Sequence, residues 1–343
     1  MRAAFYSRES DDIEIRDVDI PSIGPGEILL RPMSVGLCTS ELIPGHLKKG
    51  GSLGHELAGV VEKCGAGVRD LREGERVFIH HHVGCLNCHF CRRGKYTMCP
   101  QYHEFGFDPT GYAEYTRIEE RHVRIGAIAL PDRVTFDEAS VIEPASCVFR
   151  AIRTASLSIG DTVFVIGAGF IGLVAIQLMK FFGAGRVFAS DAVASKLERA
   201  EEFGSDMCVD LKEKHVVEKI RDANEGRMAD LVMVTAPTLR AVQDALAYVE
   251  RGGTVIQFGG TPPDGTVPVN PYEFIVRELT YLGTYSSSHI DARATLDLIA
   301  QGKLDVKSLI TDHFPLRELK EAMDFKRRSS ESLKVVIHPN SSS

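Results

Sequence analysis

DTVFVIGAGFIGLVAIQLMKFFGAGRVFASD, residues 161–191, holds two apolar runs rich in β-branched residues around a glycine-rich turn. Thr162 to Ile166 reads as a buried strand. Gly167, Gly169 and Gly172 follow in G-x-G-x-x-G spacing, then a helical pattern through Lys180, then a second strand from Arg186 to Ala189. Asp191 ends that strand, 19 residues past Gly172. A bare glycine pattern would also suit a nucleotide-free α/β sheet. The placed strand, helix and acid favour dinucleotide binding, with the glycines giving a tight turn, backbone access to a pyrophosphate and close helix–strand packing. The helix N-terminus, beginning at Phe170 and Ile171, offers unpaired N–H groups to the phosphates. Asp191 would accept hydrogen bonds from both adenosine ribose hydroxyls and repel a 2′-phosphate, which selects NAD over NADP. Lys196 is the nearby cation that works against this preference.

A chain of 343 residues with 44% hydrophobic content suggests about two cored domains. The formal charge of −7 comes without a basic block, which argues against nucleic acid as a partner. MRAAFYSRES does not resemble a signal peptide, and no apolar run reaches ~18 residues, so the expectation is a cytoplasmic protein with no membrane partner. HPNSSS reads as a frayed tail.

The N-terminal part is β-rich, with expected strands at Ala3–Tyr6, Ile13–Asp17 and Glu27–Pro32. In GLCTSEL (36–42), Cys38 sits early in an expected short helix with Ser40 two residues on. In GHELAGVV (54–61), His55 and Glu56 precede another buried strand. A thiolate, an imidazole and a carboxylate are zinc-ligand types, although Cys38 read alone could be a small buried hydrophobe. Four of the eight cysteines crowd into CLNCHFCRRGKYTMC (85–99). Cys85, Cys88, Cys91 and Cys99 have the spacing of a closed tetrahedral zinc site. An iron–sulfur cluster or disulfides are the alternatives, disfavoured by the fourth spacing and the expected compartment. Arg92, Arg93 and Lys95 would offset the tetrathiolate charge. His80, His81 and His82 read as a half-exposed strand end without chemistry. GFDPTGYAEYTRI (106–118) returns to strand, and FDEASVIEPASCVFRAIR (136–153) to helix, with Glu143-Pro144 at its head.

These motifs, with GAGVRDLREGERV (65–77), GYAEY and VIGAGFIG, occur in an order that resembles the zinc-dependent medium-chain dehydrogenase/reductase family, within its alcohol and sorbitol dehydrogenase-like members. The resemblance spans nearly the whole chain. It implies an α/β fold: a GroES-like β-barrel catalytic domain over 1–147 with the zinc lobe at 85–99, a Rossmann doubly wound parallel-sheet domain over 148–284, and a C-terminal part, 285–343, completing the catalytic domain. ADLVMVTA (229–236) and GGTVIQFGG (252–260) suit strands of that sheet, and DARATLDLIAQGKLD (291–305) is an amphipathic helix.

By position, the resemblance makes Cys38, His55 and Glu143 ligands of a catalytic zinc. Glu56 is the alternate or adjoining carboxylate, and Ser40 the hydroxyl on the substrate. It makes the four lobe cysteines the holders of a second, structural zinc. Ala236 and Thr284 join the glycine loop, Asp191 and Lys196 as cofactor-binding residues. It thus implies two zinc ions and NAD per chain, with hydride passing between NAD and a secondary alcohol or polyol whose oxygen the catalytic zinc polarises, and with Ser40 passing on the alcohol proton. The resemblance also implies a homodimer or homotetramer paired through LTYLGTY (279–285), an apolar run without protecting charges. Two departures stand out. Ile43 occupies the position of a frequent relay histidine, with His46 off-register, and the 42–53 segment is short. A non-catalytic NAD-binding protein, or a reductase of another carbonyl, is the alternative reading of the same fold.

Overall fold

The computed structural model describes residues 1–7, 9–10, 12–43, 45, 47, 53–213 and 215–340. The chain divides into two compact units, one formed by Met1–Ser146 with Ser287–Ser343 and the other by Cys147–Ser286.

In the Cys147–Ser286 unit, Thr162–Ile166 is buried at every position. A strand covered on both faces carries a continuous apolar run rather than an alternating one. It is flanked by the parallel strands Arg186–Asp191 and Ala229–Val234. The full six-stranded order is Met207–Asp210, Arg186–Asp191, Thr162–Ile166, Ala229–Val234, Val249–Gln257, Thr280–Gly283, all parallel. This is the doubly wound 3-2-1-4-5-6 arrangement, whose chain reversal leaves a crevice beyond the carboxyl ends of the two middle strands. Val163 registers against Val187 on one side and Leu231 on the other. Phe170–Phe181 is the helix that follows the glycine turn.

The other unit is built on an eight-stranded sheet. Its main path runs Ile310–Pro315, Lys334–His338, Ile28–Gly36, Glu56–Cys64, Arg76–His80, Ala127–Ala129, and the short strands Phe107–Asp108 and Thr116–Ile118 pair off it. Ile28, Leu30, Leu57, Ile79, Ile118 and Val335 are fully buried in its core. Arg2–Ser7 and Asp12–Asp17 form a separate antiparallel pair.

Two expected elements need correction. The strand expected at Glu27–Pro32 runs Ile28–Gly36, passing Pro32 with a register shift between Pro32 and Ser34. A proline cannot donate to the ladder, and a bulge there lets pairing resume beyond it. The single helix expected over 136–153 is two, Phe136–Ser140 and Ile142–Ala155. The first is opened by a Thr135–Glu138 capping box. Pro144 has no N–H to offer the Ser140 carbonyl, so the second helix starts afresh with Pro144 in its first turn.

Candidate functional site

Cys38 caps a single 3-10 turn, Thr39–Leu42, and Glu56 opens a strand that registers against Gly36 on one side and His80 on the other. This pairing brings the Cys38, His55 and Glu56 donor atoms within 4.8 Å of one another. The Ser40 hydroxyl donates to Cys38 Sγ at 3.1 Å.

Each member of the triplet is oriented by a neighbour. Glu41 Oε1 lies 3.3 Å from His55 Nδ1 and accepts the Gly54 amide at 2.7 Å, while its Oε2 accepts the Tyr112 hydroxyl at 2.8 Å. A carboxylate on Nδ1 fixes the imidazole tautomer and turns Nε2 toward a metal. Burial opposes charge on His55, but Cys38 and Glu41 outweigh it and hold its pKa well above the ordinary value. Burial, reinforced by Glu41, keeps Tyr112 protonated as a donor. Glu56 is fully buried, with its Oε2 ion-paired to Lys334, whose ammonium also donates to the Leu37 carbonyl at 3.0 Å. Glu56 Oε1 has no hydrogen-bond partner among the described residues. A buried carboxylate oxygen without a donor is costly, and beside a thiol and an imidazole it suits a cation. Of the four residues expected at this centre, Glu143 lies outside the triplet. Its Oε1 is 3.9 Å from His81 Nδ1.

The histidine run is not the half-exposed strand end expected from the sequence. His80, His81 and His82 are all buried. Covering residues come from just past the lobe and from the C-terminal return: Tyr102 packs on His82, and His80 Nε2 is 2.9 Å from Ser287 Oγ, which accepts from Ser146 at 2.7 Å. Burial lowers His80 to about 3 and His82 to about 2, so both stay neutral. Ile43 is exposed, and His46 falls outside the described residues.

In the lobe, the donor atoms of Cys85, Cys88, Cys91 and Cys99 also gather within 4.8 Å of one another, and none is in a disulfide. Backbone amides point at the sulfurs, Cys85 N–H to Cys99 Sγ and Cys88 N–H to Cys85 Sγ, both at 3.3 Å. The Asn87 amide helps pull Cys85 down to about 6, while burial and neighbouring thiols push Cys91 up to about 12. Four thiols this close cannot all ionise unaided. A divalent cation permits it, and the amide donors are placed for the resulting thiolates.

In the second unit, Gly167 has φ +104, and a β-carbon on Gly172 would overlap the Gly167 carbonyl oxygen. Gly169 differs: a β-carbon there meets nothing within 4 Å, so protein packing does not require glycine at that position. Asp191 Oδ2 accepts the Ala168 amide at 2.9 Å and Oδ1 the Val193 amide at 3.0 Å. A cavity of about 890 Å³ adjoins it, lined by Ile166, Gly167, Asp191, Ala236 and Arg240 among others. Phe170 and Ile171 open the helix beyond the turn. Lys196, on the helix Ala194–Glu202, and Thr284 do not line that cavity.

Sequence reasoning missed Glu41, Tyr112 and Lys334, and took His81 for part of a half-exposed strand end. Glu41 was within reach as the acid of GLCTSEL, whereas Tyr112 and Lys334 depend on contacts distant in sequence.

The family model for the alcohol dehydrogenase GroES-like domain matches residues 24–132, and that for zinc-binding dehydrogenases matches 171–301. Sorbitol dehydrogenase of Bacillus subtilis is 30% identical over 99% of this chain and 98% of its own length. The human sorbitol dehydrogenase is 32% identical over 91% and 89%. Among solved structures, an NADP-bound putative zinc-binding dehydrogenase from Sinorhizobium meliloti superposes with a TM-score of 0.89 at 26% identity, covering 98% of both chains. An alcohol dehydrogenase from Thermus sp. ATN1 gives 0.86 at 29%, covering 98% of this chain and 99% of its own. The chain belongs to the zinc-dependent medium-chain dehydrogenase family, with its GroES-like and Rossmann-type folds, and is an alcohol/polyol dehydrogenase that uses zinc and NAD(P). Among the described residues, no helix is long and apolar enough to cross a membrane.

Proposed function

Within that family, we propose that this chain is an NAD-dependent dehydrogenase of a secondary alcohol or a sorbitol-like polyol, with Cys38, His55 and Glu56 as its catalytic zinc ligands. The carrying observation is Glu56 Oε1, buried and without a hydrogen-bond partner among the described residues, within the cluster that Cys38 and His55 complete. We assign the Met1–Ser146 unit with its C-terminal return to catalysis, and Cys147–Ser286 to cofactor binding. Cys85, Cys88, Cys91 and Cys99 hold a second, structural zinc.

When bound, zinc polarises the substrate oxygen as a Lewis acid and NAD accepts the hydride. Glu41 and Lys334 keep His55 and Glu56 in place, so the ligand set does not reorganise during turnover. Ser40 Oγ, beside Cys38, accepts the substrate hydroxyl proton and passes its own to solvent. Asp191 receives the adenosine ribose hydroxyls. Arg240, the cation on the cavity wall, is paired with Asp244 at 2.7 Å, which supports NAD over NADP. The exposed Tyr281 on the edge strand Thr280–Gly283 supports a homo-oligomer paired along that edge.

NADH formation across a panel of polyols and secondary alcohols, with zinc measured on the same sample, tests this reading. Turnover of a polyol with NAD by protein carrying two zinc ions is expected. Zinc-free active protein would overturn it.

A further inference from the structure

A third group of metal-ligating side chains shares no residue with either centre. Asp137 lies on the short helix Phe136–Ser140, His313 on the strand Ile310–Pro315, and His338 ends the strand Lys334–His338. The two strands run parallel and in contact. His338 Nε2 is 2.8 Å from Asp137 Oδ1, and His313 Nδ1 is 3.6 Å from Oδ2. The imidazoles stack at 5.3 Å with 26° between their planes. All three donor atoms lie within 4.8 Å of one another. Ser34 donates to Asp137 Oδ1 and fixes the carboxylate from a fourth element.

We propose that Asp137, His313 and His338 form a third site, for a divalent transition-metal ion such as Zn²⁺, Ni²⁺ or Cu²⁺. Two imidazoles and a carboxylate are donors these ions prefer over the all-oxygen shells of Mg²⁺ or Ca²⁺. Ligands held about 2.0–2.2 Å from one ion stand about 3.0–3.5 Å apart, and the two measured separations bracket that range. Burial opposes charge on Asp137, but hydrogen bonds from His338 and Ser34 outweigh it and hold its pKa below the ordinary carboxylate value. It is therefore an anionic ligand at neutral pH. The entering ion takes the place of the proton between His338 Nε2 and Asp137, which leaves to solvent. Side-chain exposures of 47% for His313, 30% for Asp137 and 27% for His338 leave the remaining coordination positions to water and let the ion exchange. An ion here would clamp the two C-terminal strands to the helix that precedes Glu143.

The test is a calorimetric titration of Ni²⁺ into zinc-loaded protein, with retained zinc measured afterwards. One added ion per chain in the micromolar range is expected. His313→Gln, which changes the most exposed of the three, should weaken it at least about ten-fold. Saturating Ni²⁺ should raise the Tm of the unmodified protein more than that of the variant. With Cu²⁺, the paramagnetic resonance spectrum should show two imidazole nitrogens in the unmodified protein and one in the variant. No added ion up to about 100 μM, or unchanged binding in both His313→Gln and His338→Gln, would leave only a hydrogen-bonded cluster and overturn the proposal.

Discussion

Glu41 Oε1 sits 3.3 Å from His55 Nδ1, and the same oxygen anchors the amide of Gly54, the residue before His55. One carboxylate thus holds both the imidazole and the backbone that presents it. Glu41→Gln keeps the shape but removes the charge that orients His55. Catalytic zinc affinity should fall 10–100-fold, roughly the cost of losing an outer-shell partner. Competition with a chromophoric chelator reads this directly, and excess zinc should restore most of kcat. Unchanged affinity would show that Glu41 only packs.

Glu56 and Glu143 separate by metal content. Glu56→Gln removes the carboxylate proposed as ligand and breaks its buried ion pair with Lys334, a loss of about 3–5 kcal/mol. Zinc should fall from two ions to one, with a lower urea midpoint. Glu143→Gln should retain both ions, because Glu143 stands against His81 outside the triplet. The reverse pattern would assign the ligand to Glu143.

Acid stability follows from the buried histidines. Burial lowers His80 to about 3, His82 to about 2 and, with Arg121 adding to the effect, His122 to about 4. In the unfolded chain each titrates near 6.5. Below that pH the unfolded state takes up protons that the native state refuses, so stability is intact above ~6.5 and falls as pH drops. Each histidine costs about 1.4 kcal/mol per pH unit until its folded pKa is reached. Urea midpoints should drop steeply between pH 7 and 5, and His122→Gln should flatten the slope by about one proton. A slope unchanged by that substitution would mean that His122 is protonated in the native state.

What the sequence disclosed and what it withheld divide by range. The glycine turn, Asp191 and the four lobe cysteines are local patterns, in which spacing alone carries the geometry. Cys38 and His55 were legible because each lies in a short motif, although their meeting depends on sheet register. Lys334 reaches Glu56 only because the C-terminal strand returns beside Ile28–Gly36, and no local pattern marks that. The histidine run was misread for the same reason. Strand alternation gives one face to solvent by default, and the cover over His80 and His82 comes from Ser287 and Tyr102.

Cofactor choice is the sharpest test of the glycine-loop unit. Both Asp191 oxygens already accept backbone amides, from Ala168 and Val193, so the carboxylate is fixed before any ribose arrives. A fixed anion can accept ribose hydroxyls at little further ordering cost, and it meets a 2′-phosphate with like-charge repulsion it cannot swing away from. The unmodified enzyme should therefore favour NAD in kcat/KM by about ten-fold or more, equivalent to about 1.4 kcal/mol. Asp191→Ser removes the repulsion together with the two backbone contacts. NAD efficiency should fall, NADP efficiency should hold or rise, and the ratio should approach one. Adding an arginine at Ala192, which lines the same cavity, should carry the ratio past one. The comparison needs kcat/KM for both cofactors at fixed, saturating polyol and a thermal midpoint for each variant, so that a folding loss is not read as a change of preference. Equal efficiency with both cofactors in the unmodified enzyme would remove Asp191 as the discriminating residue.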